Sequence, residues 1–369
     1  MKPYDVLIVG SGITGSTCAY LLKQQGKKVL VLEKQPYVGG GVRTQVEEDI
    51  IVHVYGPHIF HTSDQGVWDF VNSLVTFYPY INSPIANYRG ELYHLPFNLN
   101  TFKELWGVKT PEEAKAKIAE ETAPYAGKQP HNLEEQALAL VGPTIYHKLI
   151  KDYTEKQWGR PCSDLPAAII KRIPLRFTAN NNYFNDPCQG LPVGGYSKLI
   201  EALLHGIEVR TSTDFLKAKA QYESLADQVI YTGLIDEFFS YRLGVLHYRS
   251  LRFEKEILPL DSFQASAVTN FTSHAVPYTR ITEHKKFNPH CSNHHSTIIY
   301  KEYPLEYRAG LAPFYPVNDA KNATLYQAYA ALAKQEAPNV HFAGRLGQYS
   351  YFDMDKAIRA AMTLISSFR

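Results

Sequence analysis

The run Asp5-Val-Leu-Ile-Val9 is apolar after its first residue and stops at a glycine. A short unbroken apolar run that ends at a turn residue reads as a strand buried on both faces, as in a parallel sheet. Ser16–Gln25 comes next with helical spacing, and Lys28-Val-Leu-Val-Leu-Glu33 repeats the buried-strand pattern. Together they predict a strand–helix–strand unit of about 30 residues. From Trp106 to Ala126, and again from Asn132 to Gln157, apolar and charged residues recur at helical spacing between Pro111, Pro124 and Pro130, which predicts a helical insertion. Arg172–Phe184 and Leu243–Tyr307 instead alternate β-branched and aromatic residues with polar ones, the pattern of an antiparallel sheet. Between them, Tyr196–Leu204 reads as a helix and Glu208–Arg210 and Gln228–Thr232 as short strands. Asn339–Phe342 and Lys356–Ser366 return to strand and helix. With no internal repeat, low-complexity tract or extended linker, the pattern predicts an α/β protein whose Rossmann-like core is discontinuous.

A chain of 369 residues exceeds what one growing core serves, so two or three regions sharing one site are expected. Hydrophobic residues at 45% and charged residues at 20% describe an ordinary soluble protein. Thirty-eight basic against 36 acidic residues leave a net charge of +2, too little for a nucleic-acid stripe, so any anion must be held by local residues. Twenty-six tyrosines beside three methionines favour surfaces that stack rings and offer hydroxyls. Cys18, Cys162, Cys188 and Cys291 form no CxxC pair, so no metal site or disulfide framework is expected. The chain enters a strand within five residues and has no apolar run of 18, from which a cytoplasmic protein without a membrane anchor is expected.

Candidate chemistry begins where the first strand ends. Gly10, Gly12 and Gly15 form G-S-G-I-T-G, a turn that includes Ile13 and Thr14, follows a strand and opens a helix, with Glu33 ending the next strand. Gly10 permits the tight turn, Gly12 lets a pyrophosphate approach the backbone, and Gly15 lets the helix pack on the strand. The helix N-terminus offers free N–H groups to that pyrophosphate, and Glu33 accepts from ribose hydroxyls. The residues just after Glu33 favour FAD over NAD: Lys34, then Gly39-Gly40-Gly41, Val42 and Arg43-Thr44, similar to the GG-R-x-x-T extension of flavin-binding oxidases. Phe342-Ala-Gly344-Arg345, then Asp353 with Met354 and Ala357 on a helix, looks like the flavoprotein segment that meets the ribityl chain and pyrophosphate. Val209, Thr232 and Gly233 are expected to line the same cofactor.

Seven further segments carry a more specific resemblance: Tyr55-Gly-Pro-His-Ile-Phe-His-Thr62, Leu95-Pro-Phe-Asn98, Tyr153-Thr-Glu-Lys-Gln-Trp-Gly159, Ile170-Lys-Arg-Ile-Pro174, Leu191-Pro-Val-Gly-Gly-Tyr196, Pro277-Tyr-Thr-Arg280 and Tyr315-Pro-Val-Asn318. Nearly end to end, the chain resembles UDP-galactopyranose mutases of the bacterial type. The resemblance implies an FAD domain made from residues 1–80, 186–240 and 315–369. It further implies a helical insertion at 99–165 that forms a dimer contact, and an antiparallel substrate sheet from 81–98, 166–185 and 241–314. It implies a reduced flavin whose N5 bonds the anomeric carbon while the nucleotide leaves and returns, so that the sugar ring recloses with no net redox change. The partners implied are a nucleotide-diphosphate sugar, UDP-galactose first, and an external reductant such as NAD(P)H.

A diphosphate needs about two negative charges matched, best by forked guanidinium groups, and Arg172 and Arg280 are the candidates. Both stand among apolar residues, where an unpaired arginine is costly. The resemblance makes both diphosphate ligands, with Arg172 on a closing loop and Arg249 a third member toward the flavin. It places Tyr153 on the uracil, and Trp158, Tyr183, Phe184, Tyr315, Tyr349 and Tyr351 along the sugar and phosphate channel. Asn82 and Asn270 become sugar or phosphate contacts, His58 lies at the reactive edge of the flavin, and His61 stays structural. Gly41-Val42-Arg43, Pro57 and Phe352 depart from the commonest pattern, which leaves an N-acetylated hexose or a deoxysugar on another nucleotide as alternatives. A flavin amine oxidase and an inert flavin-binding protein are the rivals.

Overall fold

The structure, a computed structural model, describes residues 2–170, 175–289 and 291–368. Its first layer is a five-stranded parallel sheet in the order Glu208–Arg210, Val29–Leu32, Tyr4–Val9, Ala226–Tyr231, Val340–Phe342. The two apolar runs near the N-terminus are therefore central strands, and both of their faces are covered. Val6, Ile8, Val29 and Val31 pack with Cys18, Leu22, Leu199, Leu203, Ile358 and Ala361 from the helices Ile13–Gln24, Tyr196–Leu204 and Met354–Ser366. Leu7 and Leu30 face the other way, onto Phe215 and Phe238. Each large apolar side chain buried this way contributes about 1.5–3 kcal/mol, so the alternation of faces fixes strand register.

The helical region is more broken than its spacing suggests. Pro111–Thr122 starts with Thr110 accepting from the Glu113 N–H, and Leu133–Ile145 starts with Asn132 accepting from the Glu135 N–H. In place of one helix over 132–157 there are three pieces. Leu133–Ile145 is interrupted at Gly142 (φ 75°), with Pro143 next, and a wide turn at Tyr146–Ile150 then leads into Lys151–Trp158. Proline removes a ladder N–H, and a Cβ at Gly142 would lie 2.4 Å from the Glu121 side chain, so the break lets two helices approach. Gly159 (φ 66°) ends the last piece.

The second sheet has seven strands, ordered Tyr315–Pro316, Tyr248–Leu258, Thr297–Glu306, Arg280–Glu283, Val268–Phe271, Ile85–Tyr88, Glu91–His94. It is antiparallel except where Val268–Phe271 pairs with Ile85–Tyr88, which run parallel. The expected strand over 172–184 is corrected: the described residues 175–184 form none. Here asparagine side chains take the hydrogen bonds a ladder needs, with Asn98 Nδ2 donating to the Asn180 carbonyl at 3.0 Å and to Asn181 Oδ1 at 2.7 Å. Two helices of ten or more residues carried no prediction, Gln65–Leu74 and Ala320–Glu336. The latter buries only Asn322, Tyr329 and Ala333, too narrow a stripe to register as periodicity.

Candidate active site

The glycine turns behave as their spacing predicts. A Cβ at Gly10 (φ +100°) would lie 2.1 Å from Thr232 Oγ1, and one at Gly15 would lie 2.0 Å from the Gly10 carbonyl oxygen. At Gly12 nothing stands within 4 Å, so the backbone there is open to a ligand. The later motifs close around it: a Cβ at Gly40 would be 3.0 Å from the Gly12 Cα, and one at Gly344 (φ +75°) 3.0 Å from Thr14 Oγ1. Glu33 is buried and also braces the turn, its Oε2 accepting from the Ser11 N–H at 3.0 Å and hydroxyl at 2.7 Å. Ile13 opens the helix behind the turn, Lys34 is exposed beyond Glu33, and Val42 is buried behind the open Gly41. Arg43 stacks on Tyr37 at 3.6 Å. Val209 sits beside Val31 in the sheet, Gly233 comes directly after Thr232, and Asp353 precedes the helix that carries Met354 and Ala357. A cradle of this shape, with bare backbone at a helix N-terminus, fits the pyrophosphate of FAD.

The seven-stranded sheet presents Arg280. In register, Arg280 lies between Asn270 on one neighbouring strand and Glu302 on the other. Its Nη1 is 3.6 Å from Glu302 Oε2, and its Nη2 donates to the Tyr153 hydroxyl at 3.1 Å. Burial works against the charge, but Glu302, Tyr153 and Tyr315 outweigh it and hold the guanidinium pKa above its ordinary value. Three buried polar atoms here have no partner among the described residues: Arg280 Nε, Glu302 Oε1 and Asn270 Oδ1. Unpaired buried polar atoms are costly, so their convergence marks a place for a polar ligand.

His58 faces Arg280 and Arg345, and burial lowers its pKa to about 4. Its Nδ1 donates to the Gly56 carbonyl at 2.8 Å, since a carbonyl only accepts, and the neutral ring therefore presents Nε2 as an acceptor. The turn is aimed by a second histidine, for the His58 N–H donates to His53 Nδ1 at 3.1 Å. The His53 N–H in turn donates to His284 Nδ1 at 3.2 Å. Tyr315 and Tyr351 stack at 6.0 Å, with Arg345 over both rings. Arg345 is anchored by donating to the Phe314 and Phe352 carbonyls at 3.0 and 2.6 Å.

The Tyr183 phenol lies near Tyr153 and Arg280, while its N–H donates to the Asn82 carbonyl at 2.8 Å. Phe184 stacks on His61 at 3.7 Å, and His61 is tied to Asp186 at 2.6 Å, the structural part expected of that histidine. Trp158 ends the helix that carries Tyr153. Two expected members are corrected. Tyr349 is buried elsewhere, its hydroxyl within hydrogen-bond reach of the His247 and Val317 carbonyls at 2.6 and 3.0 Å. Arg249 is buried under Gly159, donating to Glu306 at 2.7 Å and to the Gln157 carbonyl at 2.9 Å, so its charge is spent inside the protein. Arg172 lies outside the described residues.

Sequence reasoning missed Glu302, although an acid on the strand face shared by Ile298 and Tyr300 was a readable signal. It also missed Asp152, Glu155 and His274, whose ligand-type atoms all lie within 4.8 Å of one another across a gap of more than a hundred residues. Among the described residues no helix is long and apolar enough to cross a membrane.

A family model described as UDP-galactopyranose mutase matches residues 148–351, and one for an NAD(P)-binding Rossmann-like domain matches residues 8–74. The chain is 39% identical over 373 residues to a probable UDP-galactopyranose mutase of Klebsiella pneumoniae, covering 100% of this chain and 95% of that protein. It is 38% identical to the dTDP-fucopyranose mutase of Escherichia coli, covering 97% and 96%. Among solved structures, reduced UDP-galactopyranose mutase superposes with a TM-score of 0.76 at 16% identity, covering 99% of this chain and 94% of that one, a likeness of fold.

Proposed function

Because the chain belongs to the UDP-galactopyranose mutase family, we propose that this FAD-dependent isomerase interconverts the pyranose and furanose forms of UDP-galactose. The observation that carries the reading is the Arg280 guanidinium, kept charged by Glu302, with Nε buried and unpaired among the described residues. When bound, reduced flavin supplies the electron-rich partner for the anomeric carbon, and its electrons are not consumed.

The chain's own residues do the rest. Arg280, with Arg172 as the second guanidinium, holds the diphosphate so that the departing nucleotide stays close enough to return. Tyr153 keeps the Arg280 fork oriented and offers its ring to the uracil. Tyr183, Tyr315 and Tyr351, with Trp158, exclude water that would otherwise capture the sugar. His58, uncharged at neutral pH, accepts a hydrogen bond at the reactive edge rather than adding a third positive charge. Asn82 and Asn270 complete the sugar and phosphate contacts. Residues 1–80, 186–240 and 315–369 form the FAD domain, 99–165 the insertion through which two chains pair, and the remainder the substrate sheet. A cytoplasmic setting with NAD(P)H as electron donor, in making cell-surface polysaccharide, completes the reading.

The near-equal identity to a dTDP-fucopyranose mutase supports a second substrate reading, a deoxyhexose on dTDP. Chromatography of products from the dithionite-reduced protein, with UDP-galactopyranose, UDP-N-acetylgalactosamine and dTDP-fucopyranose in parallel, separates them. Furanose product from UDP-galactose at the highest kcat/KM supports the first reading. Faster turnover of the deoxysugar replaces it with the second, and no furanose from any donor rejects both.

A further inference from the structure

Lys156 lies one helical turn beyond Tyr153, on the same face of the helix Lys151–Trp158. Its ammonium lies within hydrogen-bond distance of four backbone carbonyls, the first at the end of a strand and three in the loop that follows: Phe271 at 2.8 Å, Ser273 at 2.8 Å, Val276 at 3.2 Å and Tyr278 at 2.9 Å. That loop joins the strand bearing Asn270 to the strand that begins at Arg280. Three of these carbonyls belong to the loop itself, and turning them inward is costly without a donor, which the Lys156 ammonium supplies. A lysine ammonium has three N–H donors on a compact head, so one of them is shared between two of these carbonyls, a convergence that the flat fork of arginine does not match. Burial pulls the lysine pKa down to about 8, with Asp152 acting in the opposite sense. A cation held at that cost points to a requirement of the loop.

The same helix grips the loop and its neighbours at three more points. Asp152 Oδ2 accepts from the His274 N–H at 3.0 Å, Glu155 Oε2 is 3.4 Å from His274 Nε2, and the Tyr153 hydroxyl accepts from Arg280 Nη2 at 3.1 Å. Beyond the loop, the Thr279 N–H joins the Glu302 carbonyl at 2.9 Å, one residue before Arg280. The arginine is thus held from the sheet side by its ladder and from the helix side through Lys156.

We infer that Lys156 is a positioning residue for Arg280, its ammonium organising the 271–278 loop so that the guanidinium meets the nucleotide diphosphate in one orientation. This rests on the reading of Arg280 as a diphosphate ligand. The role is separate from general stability, since it acts on ligand affinity only through Arg280.

UDP titrated calorimetrically into the FAD-loaded protein tests it, using wild type, K156M, R280A and K156M/R280A, with FAD content and melting temperature recorded for each. The expected result is that K156M keeps its FAD and weakens UDP about tenfold, while in the R280A background the same change alters affinity less than about twofold. Unchanged affinity in K156M, or the same tenfold loss in both backgrounds, overturns the inference while R280A still binds weakly. Wild-type affinity in R280A overturns the diphosphate reading and the inference together. Should K156M fold poorly, H274A, which removes the imidazole contact between the same loop and Glu155, is carried through the same cycle. A loss of about threefold that vanishes without Arg280 supports the inference, and an additive loss or none rejects it.

Discussion

Arg280 stands directly across the strand ladder from Glu302, with Nη1 3.6 Å from Oε2, while Nε of one and Oε1 of the other are both buried and unpaired. Two half-satisfied charges side by side are stable only as a pair, because removing either leaves the other uncompensated. Urea unfolding of FAD-loaded E302A is therefore expected to lose about 3 kcal/mol relative to wild type, and E302A/R280A to recover part of that loss. Strictly additive losses would mean that the two do not interact.

Acid acts first through histidines. His53, His58 and His284 are buried with lowered pKa values, well below the ordinary value for His53, about 4 for His58 and about 3 for His284, burial being the main cause in each. The unfolded chain binds protons at these groups from about pH 6.5 downward while the folded chain refuses them. Their contribution to stability is whole above that pH and is lost as pH falls, by about 1.4 kcal/mol per unit for each histidine. Unfolding free energies at pH 7.5, 6.5 and 5.5 are expected to drop between the last two. Equal values would contradict the neutral histidine pairing.

Gly12 and Gly15 separate binding from folding. A methyl on Gly12 meets nothing within 4 Å of the protein, so G12A is expected to fold as well as wild type without cofactor and to bind FAD at least about tenfold more weakly. G15A, pushed against the Gly10 carbonyl oxygen at 2.0 Å, is expected to lower the melting temperature of the apoprotein itself. Fluorescence titration with FAD and apoprotein melts distinguish the two.

Tyr349 tests the boundary of the site. Its buried hydroxyl serves the His247 and Val317 carbonyls, so Y349F is expected to lose about 1–3 kcal/mol of stability with kcat and KM unchanged. A changed KM would return this residue to the channel.

The dinucleotide half of the molecule was legible because each of its devices is local: an apolar run, three glycines at fixed spacing, an acid at the end of the second strand. The five parallel strands and the helix Tyr196–Leu204 arise from such signals. The substrate half was legible only by resemblance, since Arg280 draws its meaning from Glu302 in strand register and from Tyr153 on a distant helix. Arg249 and Tyr349 were misread for the same reason. Nothing in their own neighbourhoods reveals that Glu306, the Gln157 carbonyl and the His247 carbonyl consume their polar groups. Lys156 sat inside a recognised motif, but its four carbonyl partners lie 115 to 122 residues away.

The most direct measurement counts furanose product formed from UDP-galactopyranose per equivalent of reductant, for wild type and for R280A carrying equal FAD. Many turnovers per reduced flavin in wild type and none in R280A are predicted. Stoichiometric consumption of reductant, or normal turnover by R280A, would contradict the account.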